Sequence, residues 1–174
     1  YSKDQLDNAL NSMITVSDND AANTLTTYLG SGDSAAGMQA VNSFCQAHGY
    51  DQTHMGRMLL ASNENDDNYT SVGDCGHLLQ EIYKQDTSGY THATDMFNLL
   101  KAQTRCNKIP AQLPEGVQTA NKTGELDNVE NDAGIIYDSK NDVVIVFMSQ
   151  NLSSAGSAQN TIATLSRTIY DYYN

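Results

Sequence analysis

Apolar residues recur at helical spacing from the start of the chain. Leu6, Ala9, Leu10 and Met13 share one face and the pattern closes near Val16, which predicts an amphipathic helix. Ser17 and Asp18 then offer N-cap chemistry to a second helix carrying Ala21, Ala22, Leu25 and Leu29, stopped by Gly30. A third helix is expected over 35–48, with Met38, Val41, Phe44 and Cys45 on one face and Gly49 in the C-cap role. Residues 50–70 are polar and irregular, and a stretch of that length without structure of its own points to a functional or disordered loop. Two further helices are predicted over 71–85 and 91–104, after which Pro110, Pro114 and Gly116 end helical character. The period then changes. Residues 117–120, 134–137 and 143–149 read as strands, the last two joined by a turn over 138–142. A final helix is expected to place Ile162, Leu165, Ile169 and Tyr172 on one face, with Tyr170, Tyr172 and Tyr173 as packing residues.

Five helices, three antiparallel strands and one helix predict an α+β fold. The change of class divides the chain into a helical lobe, 1–108, and a sheet-bearing lobe, 109–174, with the last helix packed on the sheet. A chain of 174 residues is long enough for one compact domain or two small lobes. The formal net charge of -12, from 21 acidic and 9 basic side chains, disfavours nucleic acid and anionic membrane surfaces as partners. No apolar run approaches the roughly 20 residues that cross a bilayer, and the longest, 143–148, is strand-sized. The first residue is Tyr1 and no signal-peptide pattern follows it, so the chain reads as a processed or truncated product.

Cys45, Cys75 and Cys106 lack C-x-x-C spacing. Their helical setting allows a Cys75–Cys106 disulfide, and three buried thiols are the alternative. His48, His54, His77 and His92 lack ligand spacing and read as surface or capping residues, so no metal or other cofactor is expected. Asp66 with Asp67, and Glu130 with Asp132, lack the alternation of a calcium loop and read as solvated acids.

Two tripeptides carry candidate chemistry: Ser17-Asp18-Asn19 at a helix start, and Lys122-Thr123-Gly124 at the end of a predicted strand. Each has a plain structural reading. Ser17 and Asp18 cap a helix, Asn19 satisfies a turn, and Lys122 is a charge beside a strand. Their order, their separation by roughly a hundred residues and their placement favour a shared site.

With Met13-Ile14-Thr15-Val16 before the first motif, Ala21-Ala22-Asn23 after it, and Gly134-Ile135-Ile136 beyond the second, the chain resembles the class A β-lactamase and penicillin-binding serine hydrolase family. The resemblance covers nearly the whole chain and implies a β-lactamase-like fold whose sheet is incomplete here. It makes Ser17 a proton donor to the leaving lactam nitrogen, with the Lys122 ammonium keeping that hydroxyl a good donor. Lys122 and Thr123 suit the substrate carboxylate, Asn19 the side-chain amide. Gly124 permits close approach, and the backbone NH of Glu125 resembles an oxyanion-hole donor. Arg57 resembles the arginine that opens the family's omega loop, and Asn63 the asparagine that helps hold a catalytic water. Leu59 occupies the place of the general-base glutamate, and Glu64 is out of register.

The family's nucleophile is the serine of S-x-x-K, and no serine in this chain has lysine three positions on. The resemblance therefore implies a missing N-terminal segment of the same protein, without which turnover falls on the order of a millionfold. Ala133 stands where some members carry a carboxylate-binding arginine, and Lys108 is the nearby substitute. The function implied is acyl-enzyme hydrolysis of a β-lactam or related cell-wall peptide by a secreted or cell-surface protein. A D,D-peptidase or slowly deacylating penicillin-binding protein, and a non-catalytic cell-wall-binding module, are the alternatives.

Overall fold

The computed structural model describes residues 1–89, 91–138 and 140–174, so Ser139 of the expected turn over 138–142 lies outside the described residues. The elements are α1 (Lys3–Thr15), α2 (Asn19–Leu29), α3 (Ser34–Ala47), α4 (Val72–Thr87), α5 (Thr91–Lys101), a short 3-10 helix (Ile109–Gln112), β1 (Thr119–Leu126), β2 (Val129–Ile136), β3 (Val143–Phe147) and α6 (Ala155–Tyr173). This is an α+β arrangement in the expected order. Compactness divides the chain between Asp74 and Cys75 into units 1–74 and 75–174, whereas the change from helix to strand falls near residue 108.

In the first unit, each helix start is capped by a side chain: Ser2 accepts from the NH of Gln5, Asp18 from Ala21 and Asp33 from Ala36. Gly37 lets α3 press against α2, because a Cβ there would stand 1.9 Å from the carbonyl oxygen of Thr26. Phe44 departs from the expected core face of α3. It is exposed, and its ring stacks on His48, the C-cap of α3, at 4.1 Å between centroids. The C-cap is thus His48 and not Gly49, which follows it with φ 74°.

In the second unit the strands form an antiparallel sheet in the order β1-β2-β3. β1 does not stop at residue 120 but runs to Leu126, and β2 begins at Val129, with Asp127 and Asn128 forming the turn between them. These strands escape a search for hydrophobic alternation because Asn121, Thr123, Glu130 and Asp132, all polar, occupy their buried positions. Gly134 is required by the pairing itself, since a Cβ there would stand 2.6 Å from the carbonyl oxygen of Ala120. Ile109, Ile136, Ile145 and Ile162 form a core joined by Ile169 and Tyr170, and Phe97 of α5 lies buried with its ring 6.5 Å from Tyr137.

The buried face of α6 is Ile162, Ala163 and Ser166 with Ile169 and Tyr170, not the face expected through Leu165 and Tyr172, which are exposed. Ser166 belongs to it because its hydroxyl donates to the carbonyl of Ile162, removing the cost of burial. No Cys75–Cys106 disulfide forms. None of the three cysteines is in a disulfide among the described residues; Cys45 is buried and Cys106 exposed, its thiol turned back onto the carbonyl of Gln103.

Candidate functional site

Ser17 is the single residue between the C-cap of α1, Val16, and the N-cap of α2, Asp18. The carbonyl of Ser12 accepts from the NH groups of both Val16 and Asp18, which forces the link into a tight reversal. Ser17 meets it with φ 61°, a left-handed conformation that glycine adopts freely and that costs a side-chain-bearing residue about 1–2 kcal/mol. Ser31, Leu60 and Asn151 also adopt positive φ, so the conformation describes the tight link and does not by itself assign Ser17 a role. Asn19 opens α2, and Asn23, one turn on, lies on the same face.

Asn23 binds the polar loop at one residue. Its amide donates to the carbonyl of Leu59 at 3.1 Å and its carbonyl accepts the NH of Leu59 at 2.8 Å. Leu60 follows with φ 66° and is 79% exposed. Arg57 closes the loop, with Nε 2.7 Å from Asp67 Oδ1 and Nη1 donating to the carbonyl of Ala61 at 3.1 Å. Asn63 is exposed and donates to Asp67 Oδ2 at 3.1 Å. His54 pairs with Asp66 at 2.7 Å. The acidic pair is therefore not left to solvent. Hydrogen bonds from His54 and Asn63, first among the causes, hold the Asp66 and Asp67 carboxyls below their ordinary range. The sequence reading names Asn23 of α2 and Asp67 of the loop but gives neither a part in holding the loop, and the arginine ten positions before Asp67 was the available signal.

Lys122, Thr123 and Gly124 lie within β1, in the middle of the strand. Alternation puts Lys122 and Gly124 on one face of the sheet, and Asn121, Thr123 and Glu125 on the other with Glu130 and Asp132 opposite them. The NH of Tyr137 donates to the carbonyl of Gln118, which sets the phase of the ladder. Counting by twos, Lys122 and Gly124 exchange bonds with β2, while the backbone groups of Thr123 and Glu125 point to the outer edge. That edge is polar. Gln103 donates to the carbonyl of Asn121 at 3.4 Å, and the Lys122 ammonium to the carbonyl of Thr123 at 2.7 Å. Partial burial, then the neighbouring Arg105 guanidinium, lowers the Lys122 pKa, so its proton is more easily released than that of a solvated lysine.

Lys108 is fully buried between Glu125 Oε1 and Glu130 Oε2, 2.7 Å from each. It is not placed to meet an incoming carboxylate, because its ammonium is itself fully buried and already held between these two carboxyl groups. The hydrogen bond from Lys108 is also the main reason the Glu125 carboxyl lies below its ordinary range. Asp132 is buried, which raises its pKa against the lowering effect of hydrogen bonds from Asn121 and the NH of Ile109.

Behind the strand, the Tyr137 hydroxyl is buried without a hydrogen-bond partner among the described residues. Burial, then the charges of Asp86 and Asp142, push its pKa up to about 12. The folded state holds this proton more tightly than an unfolded chain, where tyrosine titrates near ~10. Its contribution to stability is therefore complete below that value and lost as pH rises through about 12. An ultraviolet tyrosinate titration should show a late-ionising group that is absent from Tyr137→Phe; complete ionisation of every tyrosine near ~10 would contradict it.

A family model described as Beta-lactamase enzyme family matches residues 2–173. Among solved structures, the chain is similar to a β-lactamase from Sphaerobacter thermophilus DSM 20745, with 23% identity and a TM-score of 0.83, covering 96% of this chain and 62% of that one. It is similar to PBP-A, with 24% identity and a TM-score of 0.81, covering 94% of this chain and 59% of that one. A leucine-to-glutamate mutant of PBP-A, an acyl-enzyme complex with penicillin G, gives 24% identity and a TM-score of 0.80 over 94% of this chain and 59% of that one. At these identities the likeness establishes the fold, and the chain spans about 60% of the length of these structures. No curated protein matches the chain.

Proposed function

Because the chain belongs to the β-lactamase enzyme family, we propose that it serves a penicillin-recognising serine hydrolase that opens a β-lactam amide through an acyl-enzyme. The nucleophile in this reading is the serine of an S-x-x-K segment outside the 174 residues, since none of the serines here has that lysine. The family match over residues 2–173 carries the reading, supported by Ser17 and Asp18 at the entry to α2 and by Lys122-Thr123-Gly124 within β1. The Ser17 hydroxyl donates a proton to the departing nitrogen, and Lys122 supplies a positive charge for the substrate carboxylate. Thr123 and Gly124 belong to the strand that receives substrate, the NH of Glu125 stabilises the developing oxyanion, and Asn19 orients the side-chain amide. Asn63 steadies the loop through Asp67. The protein acts outside the cytoplasm in this reading; among the described residues no helix is long and apolar enough to cross a membrane.

A second reading within the same chemistry is favoured by Leu59. The loop supplies no carboxylate there, and Glu64, the nearby acid, is exposed. Without a general base the acyl-enzyme forms but hydrolyses slowly, as in a D,D-peptidase or a penicillin-binding protein.

Intact-mass spectrometry of the native protein before and after penicillin G tests the proposal. A gain of one penicillin mass on a segment carrying S-x-x-K is expected, persisting if the slow reading holds. An adduct on Ser17 itself would make the proton-donor role wrong. Tight binding with no adduct would point instead to a silent cell-wall-binding module.

A further inference from the structure

A charge cluster around the buried Lys108 lies along the K-T-G strand. Glu125 and Glu130 stand directly opposite each other across the β1–β2 hairpin, where two like charges repel. Lys108 enters between them with its side chain 0% exposed, against 33% for Glu125 and 4% for Glu130. Each carboxylate has a second partner: Arg105 Nη1 lies 3.5 Å from Glu125 Oε2, and Gln159 Nε2 donates to Glu130 Oε1 at 2.9 Å. One residue further on, the NH of Ile109 donates to Asp132 Oδ2 at 3.0 Å. The segment before the 3-10 helix is thus tied to both strands of the hairpin. A buried ion cluster adds little stability compared with apolar side chains of the same size, so geometry rather than energy is its main product.

What it fixes is specific. The side chain of Glu125 is anchored on the Lys108 face, while its backbone NH points to the outer edge of β1, immediately after Gly124. We propose that Lys108 is a positioning residue, holding the backbone of Gly124 and Glu125 so that the Glu125 NH keeps a constant aim along the strand edge. The proposal rests on the reading above, in which that NH meets the oxyanion. Lys108 acts only through Glu125 and touches no substrate.

The test measures penicillin G acylation rate and the preceding non-covalent affinity separately, in the native protein and its variants. Lys108→Met and Glu125→Gln are each expected to slow acylation about 10- to 100-fold with affinity unchanged. Acting through one another, they should be no slower in combination than the slower single change. Glu130→Gln breaks the same cluster from the β2 side; it should lower the melting temperature while leaving acylation close to that of the parent. Glu125→Gln preserves side-chain size, so its contrast with Glu130→Gln decides the matter even if Lys108→Met does not fold. Equal slowing by Glu125→Gln and Glu130→Gln, or multiplying effects in the double variant, would show a purely structural cluster and overturn the proposal. A parent protein that forms no adduct overturns the hydrolase reading and this inference with it, a result distinct from any pattern among variants.

Discussion

Replacing Leu59 with glutamate should speed release of the penicilloyl group by on the order of 100- to 10,000-fold, the usual contribution of a well-placed general base. The substitution is tolerable because the loop is held at this residue through backbone alone, the NH and carbonyl of Leu59 both being bound to Asn23. The leucine side chain makes no part of that grip. Acylation, which does not use this base in the proposed scheme, should change little, so the two steps separate cleanly. Stopped-flow or time-resolved mass measurement of adduct decay in the native protein checks this. Unchanged decay, with the loop still folded, would mean that the position is not within reach of the hydrolytic water.

Removing the Ser17 hydroxyl should slow acylation by a similar factor, on the order of 100- to 10,000-fold. Ser17→Gly is the informative variant, because φ 61° is comfortable for glycine and the fold should hold its melting temperature or gain slightly. Ser17→Ala leaves the backbone strain in place. The two should lose the same activity while differing in stability. If Ser17→Gly acylates at the parental rate, the residue is a helix connector and the proton must come from elsewhere.

The helices were legible because their caps and apolar periodicity agree: α1 through α5 fall close to their expected limits, and Asp18 caps α2 as its composition implies. The strands were less legible for a physical reason. β1 and β2 bury Asn121, Thr123, Glu130 and Asp132, residues whose burial is made possible by hydrogen bonds and ion pairs rather than by apolar character. A rule that equates burial with hydrophobicity ends β1 before the K-T-G motif begins. The same blindness hid Lys108, which as a lone lysine in a loop looks available to solvent. The candidate residues themselves were visible as motifs, whereas the hands that hold the loop, Asn23 and Asp67, are ordinary polar residues until the chain is folded. Family membership came from order and spacing across the whole chain, which no single residue carries.

The grip of Asn23 on Leu59 also bears on how such a protein can diversify. A clamp that reads only backbone atoms is indifferent to the identity of the side chain it holds. The chemistry displayed at that point can therefore be exchanged without rebuilding the loop that presents it. The asparagine fixes where the loop stands, and the leucine side chain is left out of that fixing.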